Sequence, residues 1–122
     1  MKAPLEKTPY PRDSRSVPIH GALPDDLYVF VQDALGIIFV LPDGQHTHPK
    51  VLGGSQSALY AGDLTIHGGK VTDLTNLSGT FQFDDEAGLK AVAQQIRQQG
   101  LEVELGAVRF FPTDVSGPVI LE

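Results

Sequence analysis

The residues best suited to chemistry fall in one stretch, His46 to Phe83, which holds three of the four histidines. His46 and His48 are two residues apart, so on an extended segment both imidazole rings point to the same side. Two such nitrogens suit a zinc ion, which still needs at least one more ligand. The nearest candidates for that ligand are Asp43, Asp63 and His67. A His-x-His pair does not define a metal site by itself. We therefore predict two loop histidines, one of them hydrogen-bonded to the backbone, and no metal or other cofactor.

Ser78 suggests a second kind of chemistry, because a serine with a histidine base and an aspartate would complete a hydrolase triad. However, no serine in the chain lies in the G-x-S-x-G pattern of a nucleophile elbow. The Gly53-Gly54 loop could bind an anion through its N–H groups. A phosphate-binding loop is followed by a helix, whereas this one is followed by a predicted strand. The glycine pair therefore favours a turn.

These residues define a predicted binding face made of two loops, His46–Gly54 and Asn76–Thr80, together with Asp63. Its members are His46, His48, Gly53, Gly54, Asp63, Ser78, Gly79 and Thr80. One hypothesis is a small non-enzymatic module that uses this face to bind another protein. The alternative is a ligand-binding or enzymatic domain with a pocket centred on His48 and Ser78, with a metal ion as an option. The residue types alone do not make the face catalytic.

Composition places the chain among ordinary globular proteins and excludes several classes of function. With 122 residues, 41% hydrophobic and 20% charged, we expect one domain that buries about two-thirds of its unfolded surface. The absence of cysteine excludes thiol catalysis, cysteine-based zinc sites and disulfides. The N-terminus has no apolar run of signal-peptide length, and no segment approaches the roughly 20 apolar residues of a membrane span. We expect a cytoplasmic protein that does not associate with membranes.

Charge is distributed unevenly along the chain. Residues 1–24 carry a net charge of +2, which leaves −8 for the remainder of a chain whose total is −6. A body this acidic repels phosphate backbones, so we do not expect the folded domain to bind nucleic acid. The predicted partner is another protein.

The elements that must position these residues begin after a proline-rich segment. Residues 1–24 hold five of the nine prolines, and proline lacks the N–H that a strand ladder or helix interior needs. They predict an extended arm, laid on the body through Tyr10, Ile19 and Leu23, or else a disordered tail. Residues 25–122 are predicted to form a single domain.

Strand signals dominate the first half of that domain. Leu27–Gln32 and Ile37–Leu41 are β-branched and aromatic runs, and the turn formers Asp33 and Gly36 between them predict an antiparallel hairpin. Both strands are apolar at nearly every position, so they should be central in the sheet or covered on both faces. Ala58–His67 is a third predicted strand, with Gly62 as a bulge or a point of close approach.

The sequence His67-Gly68-Gly69-Lys70 is the clearest local signal, a two-residue hairpin turn in which both glycines adopt positive φ. Such a turn pairs Ile66 with Val71 and Thr65 with Thr72. Leu74 then falls on the face opposite Val71, which indicates a bulge near Thr72-Asp73 or an early end to the strand. Thr80–Phe83 is predicted as a short edge strand.

A single helix over about residues 85–99 is predicted to cover one face of the sheet. Leu89, Val92, Ala93 and Ile96 form one apolar stripe, with Asp84 or Asp85 as the N-cap and Gly100 as the expected C-cap. A further strand is predicted at Ala107–Phe111. Leu101–Leu105 is predicted as a short strand or a connector, and the C-terminal tail as an edge strand or a loosely packed segment. The expected fold is α+β, a five- or six-stranded, mostly antiparallel sheet with this helix on a face.

Four short motifs then suggest a family. The run H-P-K-V-L-G-G from His48 is similar to an H-S-S-F-L-A-G pattern, and it is followed in order by Ala61-Gly62-Asp63-Leu64, the turn at Gly69–Val71, and the N-x-S-G motif at Asn76–Gly79. The chain thus resembles the domain shared by plant IQ-motif calmodulin-binding proteins and bacterial polymorphic-toxin C-termini. The resemblance covers Tyr28 to Gly100 and implies a similar fold and loop framework, without an assigned reaction.

The chain departs from that pattern at two places that bear on function. The family reads S-G-H-Y-x-P at the second motif, whereas this chain reads Ser78-Gly79-Thr80-Phe81-Gln82, so the second histidine is missing. If two histidines shape the family's pocket, only His48 remains here. The calmodulin-binding segment is absent too, because Gln94–Gly100 is too short and lacks the basic residues.

Overall fold

An open, mixed eight-stranded sheet and two helices form an α+β fold in the computed structural model, which describes residues 11–44, 47–53, 56–78, 83–112 and 117–121, with only the backbone described at positions 47 and 49. The strands are β1 (Val17–Pro18), β2 (Asp26–Gln32), β3 (Ile38–Pro42), β4 (Tyr60–His67), β5 (Lys70–Thr75), β6 (Glu102–Val103), β7 (Val108–Phe110) and β8 (Val119–Ile120). The helices are α1 (Thr47–Leu52) and α2 (Glu86–Gln98). The strand order is β1-β3-β2-β4-β5-β7-β8, and β6 also pairs with β5.

Two antiparallel hairpins make the centre of the sheet, as predicted. β2 pairs with β3 on one side and with β4 on the other, and its residues 28–31 are buried. β4 and β5 are joined by Gly68 and Gly69, whose φ angles are +63° and +78°. Ile66 pairs with Val71 as predicted, but Thr65 pairs with Asp73, so Thr72 is the extra residue of a bulge. The bulge restores Leu74 to the face that carries Ile66.

Helix α2 connects β5 to the parallel strands β6 and β7, and the parallel pairing makes the sheet mixed. Asp85 caps the helix by accepting a hydrogen bond from the Gly88 N–H at 3.0 Å. The predicted apolar stripe is fully buried, and Gly100 follows the helix with a φ of +90°. The position of the helix and the aspartate N-cap are therefore confirmed, whereas the C-cap is Gln99, one residue before the glycine expected there.

The two faces of the sheet differ in what covers them. Tyr60 points to α2, since its hydroxyl donates to the Asp85 carbonyl at 2.9 Å. Asp63 is three residues further along β4 and therefore points to the opposite face. On that opposite face Arg12 stacks on Phe39, with the guanidinium 4.8 Å from the ring centroid. One face thus packs on α2, while α1 and the N-terminal residues cover part of the other.

The structure differs from the predicted fold in three respects. The described residues form eight strands rather than five or six: β1 has two residues and lies in the segment predicted as an arm, while β6 and β8, also of two residues, fall in segments where a strand is one of two predicted options. There are two helices rather than one, since α1 replaces most of the loop predicted at His46–Gly54. Proline at position 49 is compatible with it, because an N–H in the first turn has no helical acceptor. The predicted Thr80–Phe83 strand is described only at Phe83, which lies outside any strand.

The N-terminal segment lies on the domain as an arm, residues 11–19. Its β1 pairs with β3, and Ile19, one of the residues predicted to make this contact, is 4% exposed. Tyr10 lies outside the described residues. Neither helix in the described ranges is long and apolar enough to cross a lipid bilayer.

Candidate functional site

His48 reaches from α1 to the middle of β4. Its Nε2 lies 2.6 Å from the Gly62 carbonyl oxygen, which can only accept, so Nε2 carries the proton and donates it. The ring is held in place because α1 is anchored by Val51, which is fully buried. The prediction that one of the paired histidines hydrogen-bonds the backbone therefore describes His48.

Burial lowers the pKa of His48 below its usual value of 6.5. The hydrogen bond to Gly62 and the charges of Asp63 and Asp43 act the other way and favour the imidazolium, but they do not outweigh the loss of hydration. The ring is therefore neutral at pH 7, with Nε2 as donor and Nδ1 as the nitrogen that can accept.

Asp63 is the next residue along β4, and Thr75 of β5 lies opposite it. The Thr75 hydroxyl donates to Asp63 Oδ1 at 2.7 Å and accepts from the Leu77 N–H at 3.1 Å. Burial raises the pKa of the Asp63 carboxyl above 3.8, and the Thr75 hydrogen bond offsets part of that rise. We call Gly62, Asp63, His48 and Thr75 the β4 site.

Gly62 lets the two strands approach closely at this site. A Cβ built on Gly62 would lie 1.9 Å from the Thr75 carbonyl oxygen and 2.9 Å from Phe30 Cε2, so no larger residue fits. Of the two roles predicted for this glycine, close approach is the one the structure has. The same close approach places the Gly62 carbonyl, which accepts from His48, beside Thr75, which donates to Asp63.

A second acidic residue on the same face pairs with an arginine. Asp73 of β5 accepts two hydrogen bonds from Arg109 of β7, at 2.7 Å from Nε and 2.8 Å from Nη2. These bonds raise the pKa of Arg109, and its guanidinium lies 5.2 Å from the centroid of Phe111. Sequence reasoning missed this pair, since it depends on the parallel pairing of strands 36 residues apart.

The Asn76–Thr80 loop begins at a buried side chain. Asn76 Nδ2 donates to the carbonyls of Phe83 and Phe111 at 2.8 and 3.0 Å, and its Oδ1 accepts from the Phe111 N–H at 2.7 Å. Because all three bonds are made to the main chain, Asn76 fixes where the loop leaves β5. Ser78 follows it and is half-buried.

Gly53 belongs to the predicted face but has a packing role. Its φ is +74°, and an added Cβ would lie 2.3 Å from the Arg12 nitrogen, so the arm passes directly over it. The arm is bonded to α1 nearby, through the Asp13 N–H to the Lys50 carbonyl at 2.9 Å and the Ser16 hydroxyl to the Val51 carbonyl at 2.7 Å. Gly53 is therefore covered rather than open to a ligand.

The structure brings together His48 and Asp63 of the predicted face and places the start of the Asn76–Thr80 loop beside them. His46, Gly54, Gly79 and Thr80 lie outside the described residues. Thr75 could have been identified from the hairpin, because with the Thr72 bulge in place it falls opposite Asp63.

No group of three or more histidine, aspartate or glutamate side chains within the described ranges is arranged to hold a metal ion. Of the His46–His48 pair the structure describes only His48, whose Nε2 donates to the Gly62 carbonyl. A zinc site on this pair gains no support.

Comparison with known proteins adds no relative: no protein-family model matches the chain, and neither a curated protein nor a solved structure matches it. The resemblance seen in the motifs at His48 and Asn76 stays a prediction.

Proposed function

We propose that the domain is a non-enzymatic binding module for another protein, and that the partner binds over the β4 site. The observation that carries this proposal is the convergence of two segments on Gly62 and Asp63. Helix α1 arrives through His48, and the loop after β5 arrives through Thr75 and Leu77. These hydrogen bonds fix the relative position of two surface segments that are distant in sequence.

The polar groups at this face support recognition rather than turnover. His48 Nε2 is bonded to a carbonyl, Asp63 to Thr75, and Asp73 to Arg109. In the described part of the chain, no buried side-chain nitrogen or oxygen lacks a hydrogen-bond partner. A set of groups that already satisfy one another presents a rigid surface, and rigidity lowers the entropy cost of binding a partner.

The charge of the face suggests the chemistry of the partner. Asp43 is exposed at the end of β3, and its charge and that of Asp73 act on Asp63. Arg109 forms an ion pair with Asp73, and Asp43 and Asp63 are two further carboxylates on this face. We therefore propose a partner that presents basic side chains, since opposite charges speed association and favour the correct partner.

One observation favours the enzymatic alternative. Burial shifts the pKa of His48 down and that of Asp63 up, and neighbouring groups with shifts of this kind are common in active sites. In that case the Nδ1 atom of His48 would be the base, because Nε2 is committed to Gly62.

Site-specific photo-crosslinking in the cells that make the protein tests the binding module. A photoreactive residue replaces Leu77, which is 42% exposed beside the β4 site, or Lys90 on the outer side of α2 as the control. We expect a discrete crosslinked partner from position 77 and none from position 90, and its yield should fall when Asp43→Lys is added. Equal crosslinking at both positions would contradict the proposed face.

A screen of hydrolase substrates distinguishes the binding module from the enzymatic alternative. The binding module predicts no turnover that depends on His48. Hydrolysis that is present in the wild type and lost in a folded His48→Gln variant would contradict the binding module and support the enzymatic alternative.

A further inference from the structure

The turn between β2 and β3 carries a leucine that is almost fully exposed to solvent. Leu35 is 85% exposed, so it contributes little to the core of its own chain. The turn beneath it is closed by backbone bonds from Asp33 N to Ile37 O and from Gly36 N to Asp33 O, at 2.9 and 3.0 Å. Asp33 Oδ1 also accepts from the N–H groups of Leu35 and Ile37, at 3.0 and 2.9 Å.

Two glutamines attach this turn to α2. The Gly36 carbonyl accepts hydrogen bonds from Gln32 at 3.3 Å and from Gln95 at 2.5 Å, and Gln32 also donates to Gln95 at 3.0 Å. The turn that carries Leu35 is therefore held by its own backbone, by Asp33 and by the helix. Because the backbone of the turn is already fixed, binding a partner at Leu35 costs only the rotamer freedom of its side chain.

A cavity opens beside the same turn. It has a volume of about 130 Å³ and is lined by Pro18, Ile19, Ile37, Ile38, Gln95 and Gln99. Its walls are thus aliphatic residues from the arm, the turn and the start of β3, together with two uncharged amides at the C-terminal end of α2. An aliphatic cavity of about 150 Å³ can hold a benzene molecule, so this one is of the size that receives a single apolar side chain.

The lining of the cavity beside the leucine carries no charge, although the protein is acidic. None of the six lining residues is ionisable, while the chain carries a net charge of −6. Two copies repel each other over most of their surface and can approach most closely where charge is absent. The centre of a protein interface is likewise depleted of charged residues.

We infer that this surface pairs two copies of the chain, with Leu35 of each protomer inserted into the cavity of the other. The projecting side chain and the cavity share a border at Ile37, which lies two residues from Leu35 and lines the cavity. A two-fold interface needs such a self-complementary patch, in which each contact occurs twice. The surface lies on the α2 side of the sheet, so the β4 site on the other face stays open to its partner.

Sedimentation velocity of the purified chain, from micromolar to submillimolar concentration, tests the pairing. A small interface gives a weak dimer, so the wild type should shift with concentration toward twice the 13.1 kDa mass of one chain. Leu35→Lys should remain monomeric throughout, because it would bury a charge in an aliphatic cavity.

Leu105 supplies the matched control. Like Leu35, it is highly exposed (90%) and lies in a tight turn before a positive-φ glycine. Its surroundings differ, because the neighbouring Glu104 is paired with Lys70 at 3.7 Å, so charged side chains lie beside it rather than the uncharged cavity. Leu105→Lys should therefore dimerise like the wild type. A second variant, Gln99→Trp, places a bulky ring at the rim of the cavity and should weaken the dimer.

The inference is overturned if the wild type stays monomeric at every concentration. Leu35 would then be a candidate contact for a different protein. It is also overturned if Leu35→Lys and Leu105→Lys reduce association equally, since the effect would then come from charge alone. Circular dichroism of each variant confirms that the exposed substitutions leave the fold intact.

Discussion

At the scale of single residues, the β4 site links pH to stability through His48. Burial lowers the pKa of this histidine in the folded chain, whereas the unfolded chain titrates near 6.5. Below that pH the unfolded state binds a proton that the folded state does not, so stability decreases as the pH falls from 6.5 toward the folded pKa. Asp63 has a raised pKa, so its contribution is largest when it is protonated and is lost as the pH rises through its folded pKa.

Urea denaturation at pH 7.5 and pH 5.5 tests this sign. We expect the wild type to lose stability between the two values and His48→Gln to lose less, because the glutamine does not titrate. The control is His20→Gln, which removes an exposed imidazole. An equal loss in the wild type and His48→Gln would show that His48 does not carry the effect.

The site could be predicted only in part, and the reason also lies at this scale. His48, Asp63 and the loop that starts at Asn76 stand out by residue type and by short motifs. The pairing of Asp73 with Arg109 has no local signal, because neither residue is unusual in a strand. The contact arises only once α2 has brought β7 beside β5.

At the scale of elements, the hairpin between β4 and β5 is the part of the fold most strictly determined by local sequence. Gly68 and Gly69 both have positive φ, which costs other residues about 1–2 kcal/mol each. Nothing lies within 4 Å of a Cβ added at either position, so backbone conformation alone decides the effect.

Replacing Gly68 and Gly69 together by valine should lower the free energy of unfolding by about 2–4 kcal/mol, because both sites carry the same strain. Chemical denaturation measures the loss. Gly21→Val is the control, because Gly21 has ordinary φ and its nearest contact to an added Cβ is 3.6 Å. Unchanged stability of the double variant would contradict the turn.

Helices α1 and α2 show why one element could be predicted and the other could not. α2 has thirteen residues, a capping aspartate and an apolar stripe, and all three are visible in the sequence. α1 has six residues and contains a proline, so its intrinsic propensity to fold is low. α1 is stabilised by contacts with distant parts of the chain: the Gly62 carbonyl accepts from His48, and the arm forms a hydrogen bond to the last turn of the helix.

At the scale of the whole molecule, the arm connects the edge of the sheet to α1. Ser16 is 5% exposed, and its hydroxyl donates to the Val51 carbonyl at 2.7 Å. Ser16→Ala leaves that carbonyl without its donor, which should cost about 1–3 kcal/mol. The loss should fall first on the arm, whose attachment to α1 then depends on the hydrogen bond from the Asp13 N–H to the Lys50 carbonyl.

Hydrogen exchange of Ser16→Ala measures where that loss falls. Faster exchange at Asp13 and Ile19, whose N–H groups bond to Lys50 and Ile38, is expected before any change in β2 or β4. Ser14→Ala is the control in the same arm, since Ser14 is exposed. A uniform increase across the sheet would show that the arm is not a separate unit of stability.

The attachment of the arm also sets an order of events during folding. The arm leaves the ribosome before the remainder of the domain, yet its bonds are made to β3 and to the last turn of α1. It must therefore wait until at least residue 53 has been synthesised before any native contact over Gly53 can form. The arm is thus fixed only after the later segments that it contacts, and until then the edge of β3 is open to pairing with another chain.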